Sequence, residues 1–180
     1  MTAILKLPLA AMHTRHGGLT EATANYYVEA ASVCLDRHHQ PPREIKIDSN
    51  GTRYPVVAEW QPPDDRTRGA WANETDTTED GAYACALAAA EVRKGLVAVH
   101  RAETRTGADW YVAPKGKTVD DLEDCLRFEV SGVDRGTEAA VVQRLQKKLQ
   151  QAASGDSNLP AMAGVVGFKE ALVMLASLDD

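Results

Sequence analysis

From Arg43 to Asp48 the chain alternates, with Ile45 and Ile47 on one side and Glu44, Lys46 and Asp48 on the other, the period-two pattern of a strand with one buried face. Ser49-Asn50-Gly51 supplies a turn and Tyr54–Trp60 a second strand, so the pair reads as a hairpin. Ahead of it, Thr20 suits an N-cap and Glu21 the first turn of a helix running to about Asp36, on which Tyr27, Ala31, Cys34 and Leu35 recur at helical spacing. Pro41-Pro42 closes that segment. Met1–Leu9 suits a short strand that Pro8 confines to an edge or an end. Gln61–Asp76 is polar and carries prolines, which predicts a loop with a short helix, or a flexible lid, anchored by Trp71.

The second half changes period. Thr77 to Gly95 reads as a helix, with Thr78 as cap, Glu79 and Asp80 at its positive end, Arg93 and Lys94 at the other, and Gly95 to stop it. Its many alanines predict close packing on a sheet. Leu96–Ala102, Ala108–Ala113 and Leu126–Ser131 follow as strands, with Lys115–Asp124 a polar excursion between the last two. Thr137 then opens a well-capped helix whose apolar stripe is Val141, Val142, Leu145 and Leu149, while Arg144, Lys147, Lys148 and Gln151 lie elsewhere on its surface. Ala163–Phe168 carries no charge and predicts a central strand, and Glu170–Leu178 fits a short helix or a strand. The expected fold is α/β (α+β), a mixed sheet with flanking helices. Its core order is α-β-β-β-α-β, preceded by a helix and a hairpin. One domain over residues 1–180 is expected, with 1–76 an N-terminal elaboration and 77–168 the core.

Composition narrows the possibilities. A chain of 180 residues with 44% hydrophobic content can bury a proper core. The longest apolar runs, Tyr83–Ala90 and Gly164–Phe168, are too short to cross a bilayer, and Lys6, Pro8, His13 and Arg15 interrupt any signal-peptide pattern. A cytoplasmic protein with no membrane partner is expected. Cys34, Cys85 and Cys125 are odd in number, widely spaced and set among apolar residues, which predicts buried reduced thiols. The net charge of −6 argues against broad nonspecific nucleic-acid affinity and leaves room for a local basic surface. Acids crowd Asp64–Asp80 and Asp120–Asp124, whereas Arg144, Lys147 and Lys148 cluster. His13, His16, His38 and His39 flank loops without an acid or cysteine at a fixed companion spacing, so metal ligation by them is not expected.

The candidate chemistry lies between Thr104 and Gly132, where two strand-like runs each carry one acid. Asp109 follows Gly107-Ala108, and Glu129 stands between Phe128 and Val130. Strand interiors seldom hold acids. Paired strands would bring the two carboxylates together, where they repel unless something positive sits between them, and a divalent cation is one such thing. The plainer alternative is two solvated acids on the polar face of a sheet.

This order, with an acid after a glycine on the second strand and another on the third, resembles the restriction-endonuclease-like, or PD-(D/E)XK, nuclease superfamily over about Thr78–Phe168. The resemblance implies that Asp109 and Glu129 bind Mg²⁺, that a nearby lysine helps to activate water, and that the first core helix donates another glutamate. A helix from Thr78 to Arg93 spans roughly 24 Å, and the next strand retraces about that length. The helix start therefore returns near Asp109, which favours Glu79, with the better-embedded Glu91 as second choice. Position 131 departs from the pattern, because Ser131 stands where the motif ends in lysine, and a hydroxyl supplies no fixed positive charge. Members of the superfamily sometimes relocate this lysine, and Lys147 or Lys148 on the following helix is the expected substitute, with Lys147 the expected catalytic one. Gln143 is similar to the glutamine that follows the motif in recombination-type nucleases.

Arg101, Arg105, Lys115 and Lys117 flank the proposed site. Arg105 and Lys115, with Arg144 and Lys148, are the expected contacts to backbone phosphates, against the plain reading of solubilising charge. Trp110 and Tyr111 suit stacking on a base, although strand aromatics more often fill a core. Asn25-Tyr26-Tyr27 and Ala30–Leu35, with the segments around Asp109 and Glu129, also resemble a family of small bacterial proteins, which implies a lineage and no activity. Two functions follow. One is a Mg²⁺-dependent nuclease or nuclease-like subunit in DNA processing or defence. The other is a non-catalytic interaction or immunity-type protein that keeps the fold within a larger assembly. A small-molecule enzyme using Glu129 as a base has no Walker loop, GxGxxG or nucleophile elbow behind it.

Overall fold

The computed structural model describes residues 3–117 and 122–178. Residues 118–121, which belong to the Lys115–Asp124 excursion and include the first two acids of the Asp120–Asp124 run, lie outside the described residues, as do the chain ends.

The alternating run forms β2 (Arg43–Ser49), paired antiparallel with β3 (Thr52–Ala58). Asn50 and Gly51 close this hairpin at φ 51° and 84°, the positive values that a tight turn between right-twisted strands requires. Ile45 and Ile47 are buried as the alternation predicts. Asp48 is buried too, because its carboxylate accepts from the Gly51 N–H at 2.9 Å and pairs with Arg53 at 3.1 Å. The first strand, β1 (Leu5–Lys6), lies parallel to β3 at the sheet edge. Helix α1 (Glu21–Asp36) begins at Thr20, whose hydroxyl accepts from the Thr23 N–H at 3.1 Å. The polar stretch after β3 holds a short helix, α2 (Asp65–Ala70). Trp71 anchors it, buried and donating its indole N–H to Glu29 at 2.8 Å.

Helix α3 (Glu74–Lys94) starts before the expected Thr77, because Asn73 and not Thr78 caps it. The Asn73 side chain accepts the N–H groups of Thr75 and Asp76, while the Thr78 hydroxyl turns back to donate to the Glu74 carbonyl. A short amide outside the first turn satisfies orphan donors that a residue inside the helix cannot reach. Gly95 ends the helix at φ 65°.

The rest of the chain follows the expected order, as β4 (Leu96–Arg101), β5 (Trp110–Pro114), β6 (Leu126–Val133), α4 (Glu138–Ala153) and β7 (Ala161–Gly167). Thr137 occupies the cap position of α4 but makes no side-chain cap bond, so the acid at Glu138 is what favours that end of the helix. The segment after β7 is a strand, β8 (Leu172–Ser177).

The result is a mixed α/β fold whose eight described strands form one mixed sheet in the order β1-β3-β2-β8-β7-β6-β5-β4. β6 and β7 are parallel, as are β2 and β8, whereas β4, β5 and β6 alternate in direction. β8 joins the hairpin to the remaining strands, so residues 43–58 extend the sheet. Helix α3, backed by α1, covers one face and α4 the other. All seven residues of β7 are buried, with Met162 and Val166 turned to the α3 side and Ala163 and Val165 to the α4 side. Gly164 leaves the space that the Phe128 ring fills, since a Cβ there would sit 2.7 Å from the ring.

Cys34, Cys85 and Cys125 are buried and unbridged. Burial pushes the Cys34 thiol up to about 12, so it is not a thiolate at neutral pH. Among the described residues, no helix is long and apolar enough to cross a membrane.

Candidate functional site

The site lies at the rim of the sheet where α3 begins, β5 begins and β6 meets α4. In the antiparallel register of β5 and β6, Trp110 faces Phe128 and Tyr111 faces Arg127. Asp109 itself lies one residue ahead of β5, level with Phe128 and Val130 of β6. The Asp109 N–H continues the ladder to the Phe128 carbonyl at 2.9 Å, and its Oδ2 accepts the N–H of Val130 at 2.8 Å.

The other oxygen of Asp109 is held from the helix. Oδ1 accepts from the Tyr83 hydroxyl at 3.0 Å, and the same hydroxyl lies 3.3 Å from Glu79 Oε1. Arg101, at the end of β4, donates to the Tyr83 oxygen at 3.1 Å and to the Asp109 carbonyl at 2.5 Å, and stands 3.7 Å from Oδ1. Its guanidinium also lies over the Tyr83 and Trp110 rings, 4.9 and 5.2 Å from their centroids. Because Arg101 fills the acceptor side of the Tyr83 oxygen, the phenolic proton is left for Asp109, the nearer of the two carboxylates.

Glu129 is only 8% exposed, and its carboxyl is raised above the ordinary range, first by burial and then by the charge of Asp109. Lys148 opposes this shift, donating to Glu129 Oε1 at 2.7 Å. Two residues further along β6, the Ser131 hydroxyl accepts from Arg144 at 3.0 Å. Beside Glu129 a cleft of about 520 Å³ is lined by Thr78, Glu79, Asp109, Ser131, Arg144 and Lys148, among others, and Glu129 itself lies behind Lys148. Gly132 forms part of its floor, close enough to α3 that a Cβ would meet the Thr78 carbonyl at 2.7 Å.

Of the residues singled out in the sequence, the fold brings Glu79, Asp109, Glu129, Arg144 and Lys148 together. Lys147 is exposed on α4 and absent from this cleft, while its neighbour Lys148 supplies the lysine. Lys115 is elsewhere, 3.0 Å from Glu91, the α3 acid that also binds Arg15 and the buried His16. Arg105 sits in an exposed turn at φ 73° and does not line the cleft. Trp110 and Tyr111 are buried at 2% and 6% exposure, so both serve the core and neither is open to a base. Tyr83 is a site residue that the strand acids do not reveal, and the only sequence signal for it is its position four residues after Glu79, which puts both on one helix face.

Among the described residues, no three or more His, Cys, Asp and Glu side chains gather as a metal-binding group. Fold and site together define a mixed α/β protein with two neighbouring carboxylates, Asp109 and Glu129, beside an open cleft that Arg144 and Lys148 help to line. No family model, curated protein or solved structure matches the chain.

Proposed function

We propose that the protein is a Mg²⁺-dependent phosphodiester hydrolase of PD-(D/E)XK-like architecture, acting on nucleic acid in DNA processing or defence. The observation that carries this reading is Asp109, bonded through Oδ2 to the Val130 N–H at 2.8 Å, beside Glu129, the preceding residue of β6, with Lys148 on Glu129 at 2.7 Å. The order α3-β4-β5-β6-α4-β7, with Asp109 just ahead of β5 and Glu129 on β6, supports it.

The donor set fits the metal. Mg²⁺ takes hard oxygen ligands, keeps several waters and uses one or two carboxylates together with substrate phosphate, so two neighbouring acids without a third are sufficient. Asp109 and Glu129 would hold it, with Glu79 at the cleft edge. Bound there, Mg²⁺ would supply an activated water and charge neutralisation on the phosphate. Tyr83, Arg101 and the Val130 N–H fix the Asp109 carboxylate, each from a rigid element. Lys148 provides, from α4, the cation that the serine at position 131 does not, placed to meet charge on phosphate oxygens.

Incubating plasmid DNA with the purified protein and Mg²⁺ or Mn²⁺, beside Asp109→Ala and Glu129→Ala, tests the reading. Cleavage by the wild type alone is expected, and no cleavage, or equal cleavage by all three, removes it. A second reading, a non-catalytic partner in a larger assembly, is favoured by the present engagement of both Asp109 oxygens and by the Glu129–Lys148 pair, which balance charge without a metal. Co-purification from the native host that returned no stable partner would count against it.

A further inference from the structure

Two contacts join β6 to α4 like rungs. Lys148 meets Glu129 at 2.7 Å, and Arg144 meets Ser131 at 3.0 Å. Glu129 and Ser131, two apart on a strand, are separated by about 7 Å, and Arg144 and Lys148, four apart on a helix, by about 6 Å. That interval is comparable with the spacing of successive phosphates along an extended nucleic-acid strand. The rungs differ in charge: the first sets a cation against an anion, the second a guanidinium against a neutral hydroxyl. Of the cations lining the cleft, Lys148 is paired with Glu129 and Arg135 with Glu74 at 2.7 Å, whereas Arg144 has no carboxylate partner among the described residues. One of its five N–H donors is used on Ser131, and the rest of the planar fork is free for an oxyanion. Ser131 is only 8% exposed, so its hydroxyl is a fixed post for an otherwise exposed side chain.

We propose that Arg144, presented by Ser131, binds the phosphate adjoining the one at Glu129 and Lys148, so that the substrate is a polynucleotide strand and not a single nucleotide. This rests on the hydrolase reading and assigns a separate role to the second rung.

The test is anisotropy of a labelled single-stranded DNA oligonucleotide in Ca²⁺ over a range of salt, with wild type, Arg144→Ala, Arg144→Lys and Ser131→Ala, each checked by thermal melting. Arg144→Ala is expected to bind about tenfold more weakly, with a slope of log affinity on log salt shallower by about 0.7, the value for one lost contact to a single strand. Arg144→Lys recovers the slope without the full affinity, and Ser131→Ala weakens binding about threefold. Competition by a 5′-mononucleotide is the same for all four. Unchanged affinity and slope in Arg144→Ala, an equal loss of mononucleotide binding, or a wild type that binds no oligonucleotide would overturn the inference. Cleavage in Mg²⁺ separates the two ideas. Arg144-dependent binding without cleavage removes the hydrolase and leaves the subsite, and cleavage with no Arg144 dependence does the reverse.

Discussion

Replacing Lys148 by Met removes the cation from Glu129 while keeping most of the side chain that packs α4 on the sheet. Glu129 is 8% exposed and the side chain of Lys148 is 21% exposed, so the pair is buried on one side and partly solvated on the other. Breaking a fully buried pair costs roughly 3–5 kcal/mol. Solvent at the lysine and the nearby charge of Arg101 reduce this to about 2 kcal/mol at pH 8. The loss must depend on pH. Burial, and then Asp109, already raise the Glu129 carboxyl in the folded state. Such a group binds more protons folded than unfolded, so its contribution is fully present below the unfolded value of 4.5 and is lost as pH rises through the folded value. Without Lys148 the folded value climbs further, and protonation at mildly acidic pH relieves the penalty. Urea denaturation is therefore expected to show a loss of about 2 kcal/mol at pH 8 and under about 1 kcal/mol at pH 5. Adding Glu129→Gln to the variant should restore most of the stability at pH 8. A loss independent of pH, or one that Glu129→Gln leaves in place, would refute the assignment of Lys148 as the counter-charge.

Other outcomes follow from the same geometry. Tyr83→Phe keeps the ring 5.1 Å from Tyr27 but removes the hydroxyl from Asp109, and should cost about 1 kcal/mol in denaturant, with Arg101→Ala adding less than its own single effect because both act on one network. Gly132→Ala forces a Cβ to 2.7 Å from the Thr78 carbonyl and should lower stability by about 1–3 kcal/mol, whereas an unchanged melting temperature would mean that α3 stands further off. His16 is fully buried and titrates below its ordinary value of 6.5, chiefly through burial and against the pull of Glu91. Its neutral ring stabilises above 6.5, and that stability is lost as pH falls through the lowered folded value. The melting temperature should therefore drop as pH goes from 7 to 5, and His16→Asn should flatten that slope.

Much of this fold can be read from local pattern. The hairpin, the order of the core elements and the buried, uncharged β7 each follow from period and composition within a short window. The start of α3 does not, because Asn73 and Thr78 are both acceptable caps and tertiary packing decides between them. Nor does the identity of β8, whose register is set by β7 on one side and β2 on the other, each distant in sequence. Within the site, Glu129 stands out because strands seldom hold acids, whereas Asp109 falls in a bend one residue ahead of β5, outside the strand expected from Ala108. Choosing Lys148 over Lys147 depends on the azimuth of α4, and a rotation of one residue, about 100°, exchanges them. Lys115 lies next to β5 in sequence, yet it belongs to the Glu91 cluster because antiparallel β5 carries the chain away from Asp109.

The most direct trial is a crystal soaked in Mn²⁺ with a short oligonucleotide, read by anomalous scattering. Asp109 and Glu129 sharing a cation predicts a peak about 2.1 Å from a carboxylate oxygen of each, with Lys148 drawn from Glu129 toward phosphate. A map with no peak between them, and Lys148 still on Glu129, would contradict the metal site and leave a charge-balanced, non-catalytic cleft.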